Sequence, residues 1–413
     1  MEKSVMSGIK PTTGTERLVV LDALRGFALF GILFANLYSF MGFNTISPTE
    51  RMMLPVGDRG MLFFIDWFIE GKFYGIFSIL FGVGFALQAE RFRARSANFF
   101  SYWYRRMVVL CCIGLMHMFL IWNGDILTLY AVLGMFLPLF LNLSDRALLR
   151  WILVLLSIPL VIHGILYFTY DAPFWGVMSR LSADLQGQWG YADRTLFEMR
   201  TSDAPVHVFL INVLKAIPRP MSYLLSGRYF QVLGLFLIGL LLARHWLPKL
   251  RNNDIAVPRA AVWIGGLGLV AGFGYAWTKF TTGSYFGVDP VGLLQGLTNH
   301  IGSTSLALGI AMLFVYTWAS GRASIVFRNL ALLGRMALTN YIFQNIIAVL
   351  LFFGYGLGLM NKVPYAFIPL VAFGILAAQW AFSRAWLRRF KQGPLEFIWR
   401  KLSYRKEKQS VEA

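Results

Sequence analysis

Apolar runs of roughly 20 residues, the length a helix needs to cross a hydrocarbon core, recur from end to end of this 413-residue chain. In lipid no water is available to hydrogen-bond exposed backbone groups, so only helices or closed barrels span a bilayer. Barrel strands alternate apolar and polar residues, whereas runs such as LDALRGFALFGILFANL and DILTLYAVLGMFLPLF stay apolar throughout. The expected fold is therefore all-α, a polytopic transmembrane helical bundle. With 57% hydrophobic and only 14% charged residues, the composition excludes a soluble domain.

Length and punctuation predict about ten spans, at 18–40, 71–89, 106–122, 126–142, 149–169, 228–244, 259–279, 292–318, 336–353 and 365–384. Two half-buried or amphipathic pieces, 60–70 and 205–224, precede the second and sixth of these. The segment 171–204, with Asp171, Asp184, Asp193, Glu198 and Asp203, is the longest polar connection. This divides the chain into an N-terminal lead, 1–17, a transmembrane domain, 18–386, with a longer outer segment at 171–227, and a basic tail, 387–413. The first span follows its polar lead without a small-residue cleavage site and is expected to be retained.

The formal charge of +18 raises the question of nucleic acid, but the bases are spread between the apolar runs and form no patch. Arg91, Arg93, Arg95, Arg105 and Arg106 fill one loop. Arg146 with Arg150, Arg244 with Lys249 and Arg251, and Arg322 with Arg328 fill later ones, and Arg384, Arg388, Arg389, Lys391, Arg400 and Lys401 crowd the tail. Basic loops face the cytoplasm, which predicts that both termini are cytoplasmic and that the Trp122–Asp125 turn faces outward. The two cysteines, Cys111 and Cys112, are adjacent and lack metal-ligand spacing, so small buried thiols are expected and no metal site.

Ionisable side chains at membrane depth are costly unless partnered, and so mark functional sites. In GLMHMFLIWNGD, His117 lies roughly 8 Å below the end of its helix at Trp122, and Asp125 opens the next apolar run across a tight turn. A neutral imidazole with a carboxylate partner is a general base; Asp125 also has the residue type of a helix N-cap, and the two roles are compatible. On the first span Asp22 and Arg25 share a helix face. Arg25 is either a snorkelling anchor paired to Asp22 or a cytoplasmic anion site, since a guanidinium pairs well with phosphate. Asn36, eleven positions on, is placed either to hydrogen-bond a substrate carbonyl or to join helices. Lys72 opens the second span beside Glu70, as either an interfacial ion pair or part of an acidic-ligand pocket. Arg335, Thr339 and Asn340 fall near one face of GRMALTNYIFQN, with Gln344 a turn beyond. Gln295, Asn299 and Ser303 give the span around His300 a polar stripe, which lines a cavity or a bundle core. His163, His207 and His245 look incidental. The closing RRFKQGPLEFIWRKL suits an amphipathic helix lying at the cytoplasmic membrane surface.

No GxSxG elbow, Walker loop, HExxH or strand-borne GxGxxG is present, which leaves acyl transfer and transport. The stretches LDALRGFALFGILFANL, KFYGIFSILFGVGF, GLMHMFLIWNGDILTLYA, GRMALTNYIFQN and RRFKQGPLEFIWRKL together resemble the YeiB family of bacterial inner-membrane proteins, a domain of unknown function, over nearly the whole chain. More distantly, the first span is similar to that of transmembrane acyltransferases, the heparan-α-glucosaminide N-acetyltransferases and the bacterial sugar O-acyltransferases. In the O-acyltransferase pattern an arginine like Arg25 is followed eleven positions later by a histidine. Here Asn36 takes that position, as it does in the heparan-type enzymes. The histidine that those enzymes place soon after the first span is missing too, and His117 is the substitute by role.

The resemblance implies a multi-pass protein of the bacterial cytoplasmic membrane that transfers an acyl group from a cytoplasmic acyl-CoA, such as acetyl-CoA, to a hydroxyl or amine of an envelope glycan or lipid. Arg25, with Asp22, Lys72 and Arg335, would bind the CoA phosphates; His117 with Asp125 would deprotonate the acceptor; Asn36 or Asn340 would polarise the thioester carbonyl. The alternative expectation is a proton-coupled transporter of a small anionic solute, with His117 and Asp125 as the coupling pair, although no repeat between halves is evident. A non-catalytic scaffold would leave the His–Asp arrangement without a role.

Overall fold

The protein is described by a computed structural model covering residues 19–94, 98–169, 176–251, 259–283, 289–321 and 324–404. Asp171, Arg95, Arg322, the lead 1–17 and the last nine residues of the tail lie outside the described residues. The chain is all-α, with no strand among the described residues. In order, its helices are α1 (Val19–Phe40), α2 (Pro48–Met53), α3 (Val56–Phe64), α4 (Lys72–Arg93), α5 (Phe99–Leu120), α6 (Leu127–Gly134), α7 (Asp145–Thr169), α8 (Val177–Gln188) and α9 (Leu196–Arg200). There follow α10 (Pro205–Ala216), α11 (Arg219–Leu225), α12 (Arg228–Arg251), α13 (Arg259–Thr282), α14 (Pro290–Ala319), α15 (Ser324–Arg335), α16 (Ala337–Phe352), α17 (Ile368–Arg389) and α18 (Pro394–Ser403).

Among the described residues, eight helices are long and apolar enough to cross a membrane, or ten if each of two bent pairs forms one span. Those ten differ in membership from the sequence expectation. The run 126–142 does not make one long helix: α6 ends after eight residues and continues as a 3-10 turn, Leu137–Phe140. Pro138 has no N–H to give the carbonyl of Gly134, and that carbonyl instead accepts the Trp103 indole N–H at 2.8 Å. Trp103 is thus a tertiary substitute for a missing helical hydrogen bond. Trp103→Phe is expected to cost about 1–3 kcal/mol by leaving the carbonyl buried and unpaired, read as a lower melting temperature of the detergent-purified protein. In place of that span, α10 and α11 form one of the bent pairs, with a 43° bend. The other pair is α15 and α16, bent by 83°.

Apolar side chains gain nothing by leaving lipid for one another, so membrane helices associate through close packing and buried polar bonds. Two crossings show the first. Gly26 of α1 abuts the carbonyl of Leu330 and Gly334 of α15 abuts that of Asp22, so that a Cβ on either would overlap the opposite backbone. Gly82 of α4 and Gly239 of α12 repeat the arrangement against Phe236 and Ile79. The main core runs through α1, α4, α5, α6, α12 and α16, whereas Met199, Ile211 and Leu214 of α9 and α10 form a small core of their own.

The basic connections meet at one end. Arg244 donates to the carbonyls of Leu141 and Leu143 and to Asp145 Oδ1, all at 2.8 Å, and Arg93 donates to Asn142 at 3.2 Å. At the same end α18 docks on the bundle: Trp399 donates to the Arg106 carbonyl at 2.8 Å, with the Arg106 guanidinium 3.5 Å from its ring. Glu396 accepts from the Leu338 and Thr339 backbone N–H groups at 2.7 and 3.1 Å and from Thr339 Oγ1 at 2.6 Å, capping α16 from another helix. Burial pushes the Glu396 carboxyl above its ordinary value, and the Thr339 hydroxyl and the backbone donors pull it back. The closing motif is therefore tied to the bundle, while Phe397, Ile398 and Leu402 stay exposed on the side an interfacial helix presents to lipid. The cysteines are not both buried: Cys111 is half-buried and Cys112 exposed, because α5 turns that face away from the core.

Candidate functional site

His117 ends α5 on the inner side of a turn that the chain must close within four residues. Asp125 lies on the far side of that turn and starts α6. Its Oδ2 accepts the Thr128 backbone N–H at 2.7 Å and its Oδ1 that of Leu127 at 3.1 Å, the bonding of an N-cap. Oδ1 also lies 3.1 Å from His117 Nδ1. One carboxylate thus makes both the contact to the ring and the bonds to the start of α6. His117 and Asp125 are each 1% exposed. The Asp125 carbonyl accepts from Arg219 at 2.8 Å and Tyr223 at 3.0 Å, fastening the turn to α11.

An ionised Asp125 can only accept, so His117 Nδ1 carries the proton and Nε2 is an acceptor. Its partner is Asn345 Nδ2, at 2.9 Å. Asn345 Oδ1 in turn faces Asn36 Nδ2 at 3.4 Å. Donors and acceptors run one way, from Asn36 through Asn345 and His117 to Asp125, across α1, α16, α5 and α6. Tyr341, one turn before Asn345, lies ring to ring with His117 at 5.2 Å. Gln344 is 0% exposed, and neither its Nε2 nor its Oε1 has a hydrogen-bond partner. An unpaired buried amide costs about 1–3 kcal/mol per group, so it marks a place where a polar partner belongs.

Asp22 and Arg25 pair at 2.9 Å, and Arg25 Nη2 approaches α4 at Gly84. The Arg25 side chain is 30% exposed. It stands on the same helix as Asn36, roughly 16 Å away by helical rise. Arg335 follows Gly334, whose neighbour is Asp22, and donates to the Lys391 carbonyl at 3.3 Å. It therefore belongs to the Arg25 end. Lys72 does not join that group. It is 0% exposed, donates to the Asp66 carbonyl at 2.6 Å, and lies roughly 18 Å along α4 from Gly84. Asn340 is likewise committed elsewhere: its Nδ2 donates to the Leu333 carbonyl and to Ser383, both at 3.0 Å, and it spans the sharp bend between α15 and α16.

The polar stripe of α14 belongs to the bundle core. His300 Nε2 donates to the Leu156 carbonyl at 2.9 Å, one turn before Pro159 inside α7. Gln231 donates to Ser303 and Thr304 at 3.0 Å and accepts from Tyr74 at 2.8 Å. His207 bonds Ser202 at 2.6 Å and His245 bonds Asp145 at 2.8 Å, so neither is idle. Among the described residues no group of three or more His, Cys, Asp and Glu is placed to hold a metal.

Three groups escape a reading of the sequence. Asn345 closes GRMALTNYIFQN, but nothing local shows that it faces a residue 228 positions away. A second set, Asp66, Glu70 and Lys279, is joined by bonds of 2.6 and 3.3 Å from the lysine, with Tyr38 and Tyr275 each 3.4 Å from Glu70. It lies beside a cavity of about 40 Å³ lined by Arg51, Arg59, Asp66 and Lys279. The third is Arg200, which reads as a solvated loop base yet is 3% exposed.

The family described as Protein of unknown function (DUF418) matches residues 241–406. Over 97% of both chains, this sequence is 32% identical to Uncharacterized protein YxaH of Bacillus subtilis. It is 29% identical to an Uncharacterized 39.9 kDa protein in the amylase 3' region of Bacillus acidopullulyticus, over 96% of each chain. Against Uncharacterized protein YeiB of Escherichia coli it is 27% identical, over 94% of this chain and 97% of that one. No solved structure matches it. The multi-pass helical architecture and this full-length similarity place the chain in the YeiB/YxaH family of membrane proteins that carry the DUF418 region.

Proposed function

We propose that this protein is an acyltransferase of the bacterial cytoplasmic membrane, which moves an acyl group from a cytoplasmic acyl-CoA, acetyl-CoA being the simplest donor, to a hydroxyl or amine of an envelope glycan or lipid. The observation that carries this reading is the one-way chain from Asn36 through Asn345 and His117 to Asp125. It leaves Nε2 of the buried His117 ring on the accepting side, which is the atom a general base needs. In the resting state Asn345 occupies that acceptor, and the acceptor's O–H or N–H would take its place.

In the transfer step, the acceptor's proton passes to His117 Nε2 while its oxygen or nitrogen bonds to the thioester carbonyl carbon. Asp125 stabilises the imidazolium that forms. The developing oxyanion draws on amide donors, for which Asn36, Asn345 and the unspent Gln344 Nε2 are at hand. The C–S bond then breaks, and the CoA thiolate recovers the proton from the imidazolium to leave as the thiol. Arg25, at the basic end expected to face the cytoplasm, would hold the CoA phosphates, with Arg335 beside it. The separation of Arg25 from Asn36 is comparable to the reach of an extended pantetheine arm.

The test is binding of acetyl-CoA to the detergent-purified protein by calorimetry. Saturable binding is expected, weakened at least tenfold, about 1.4 kcal/mol, in Arg25→Ala. A well-folded protein that binds no acetyl-CoA overturns the reading. The second reading, a proton-coupled transporter of a small anionic solute, is favoured by one observation, the cluster of Arg51, Arg59 and Lys279 around the cavity beside Asp66. Proton-dependent uptake of such a solute into proteoliposomes, with no covalent transfer, would put it first.

A further inference from the structure

Among the described residues, Arg200 is a buried cation without an anion. It closes α9 at 3% exposure, and of its guanidinium only Nη2 has a partner, Asn123 Oδ1 at 2.9 Å. Nε and Nη1 are buried and have no acceptor. No carboxylate pairs with it among the described residues, and the nearby charge is a second cation, Lys215, close enough to repel it. Burial pulls the guanidinium down to about 10, which still leaves it charged at neutral pH. Taking an uncompensated charge out of water is among the costliest things a fold can do. Yet the side chain is held in place from several sides. Its own carbonyl accepts the Gly354 N–H at 2.9 Å, the Phe353 ring lies 5.6 Å from its charge, and Asn123 is fixed in turn by Asn212 at 3.2 Å.

A second donor stands unpaired on the residue before Asn123. The Trp122 indole Nε1 is buried and has no acceptor, and its ring packs on Phe40 at 4.4 Å, which in turn meets Phe353 at 5.9 Å. Trp122 and Asn123 belong to the turn that carries Asp125. The unspent donors therefore lie next to the His117–Asp125 pair, at the end of the bundle away from Arg25. A buried guanidinium with two N–H groups to spare, beside a second N–H donor from another element, matches the several oxygens of a phosphate.

We propose that Arg200 and the Trp122 indole form a docking point for a phosphate group, and that the acceptor of acyl transfer is accordingly a phosphate-bearing molecule. The word acceptor rests on the acyltransferase reading, whereas the phosphate site rests on its own geometry. Arg200 ends α9, which packs with α10 on a small core of Met199, Ile211 and Leu214, and a core of that size opens at less cost than the main one.

The experiment uses the full chain in a phosphate-free maltoside detergent and reads its melting temperature. Glycerol 3-phosphate serves as the soluble phosphate ester, phosphatidylglycerol as the lipid headgroup, and sodium chloride at matched ionic strength as the control. A saturable rise with one phosphate compound and not with chloride is expected, and which of the two produces it identifies the source. Arg200→Met is expected to melt no lower than the parent without phosphate, since it removes an uncompensated charge, and to weaken the phosphate response at least tenfold. Trp122→Phe, which keeps the packing and loses the donor, should weaken it as well. His117→Ala should keep the full response even if it loses transfer, which separates this site from the catalytic reading. The proposal is overturned if neither phosphate compound raises the melting temperature above the chloride control, or if the response survives intact in Arg200→Met. Should Arg200→Met fail to fold, an unchanged response in Trp122→Phe overturns it.

Discussion

His117→Ala is expected to lower acyl transfer by about 10²–10⁴-fold, the range a positioned general base contributes. The assay is the appearance of label from acetyl-CoA in the lipid or glycan fraction, with protein reconstituted in bilayer discs. Binding of acetyl-CoA should change little, because its phosphates lie at the Arg25 end, roughly 16 Å along α1 from Asn36. Loss of the ring also leaves Asp125 and Asn345 facing a void, so the variant needs a fold control by size exclusion and circular dichroism. Two further readouts separate catalysis from mere packing. Imidazole added to His117→Ala should restore part of the activity, since it refills the void with the same base. Asp125→Asn should lose activity as well, because an amide in place of the carboxylate lets the ring adopt the other tautomer and cannot stabilise the imidazolium. Full transfer by a folded His117→Ala protein would remove His117 from the mechanism.

The largest effect on stability is expected from Lys279→Met. Lys279 ties α13 to the π-helical turn at Ile65–Ile69, with Nζ 2.6 Å from Asp66 Oδ1 and 3.3 Å from Glu70 Oε2. The lysine side chain is 6% exposed and that of Asp66 10%. Removing the cation strands two carboxyl groups beside each other in a low-dielectric setting, and breaking a buried pair in this way costs about 3–5 kcal/mol. Lys72 is nearby, but its ammonium bonds the Asp66 carbonyl at 2.6 Å rather than either carboxylate. The expected result is a large fall in melting temperature, or failure to purify a folded protein. Adding Asp66→Asn to Lys279→Met should recover part of the loss, since it removes one of the stranded charges. If Lys279→Met melts with the parent protein, the cluster is not holding α13 in place.

Several local signals in the chain translate directly into structure. The spacing of His117 and Asp125 across a Gly-Asp turn is short enough that one helix end and one helix start must meet, and they bond at 3.1 Å. Asp22 and Arg25, three apart on one helix, pair at 2.9 Å for the same reason. The run at 126–142 misleads because its apolar length outweighs the single proline within it. Pro138 breaks the ladder there, and the break is tolerated because Trp103, from another helix, supplies the missing donor. Lys72 misleads in a related way: it adjoins Glu70 in sequence, but its strongest bond is to a backbone carbonyl that the π-helical turn leaves free.

The amino-acid sequence was sufficient for most of the membrane-spanning helices, for the buried His–Asp pair and for the family motifs, because each of these depends on residues within a few turns of one another. Lipid enforces that legibility, since every spanning segment has to satisfy its own backbone hydrogen bonds. Which faces meet is a different matter. An apolar side chain is as well solvated by lipid as by a neighbouring helix, so hydropathy carries no record of partners. Glycine contacts such as Gly26 with Leu330 and Gly334 with Asp22 set those partners, as do buried bonds across long separations. Such contacts bring Asn36 and Asn345 to His117, move Lys72 away from Arg25, and bury Arg200 beside the Asp125 turn without an anion of its own.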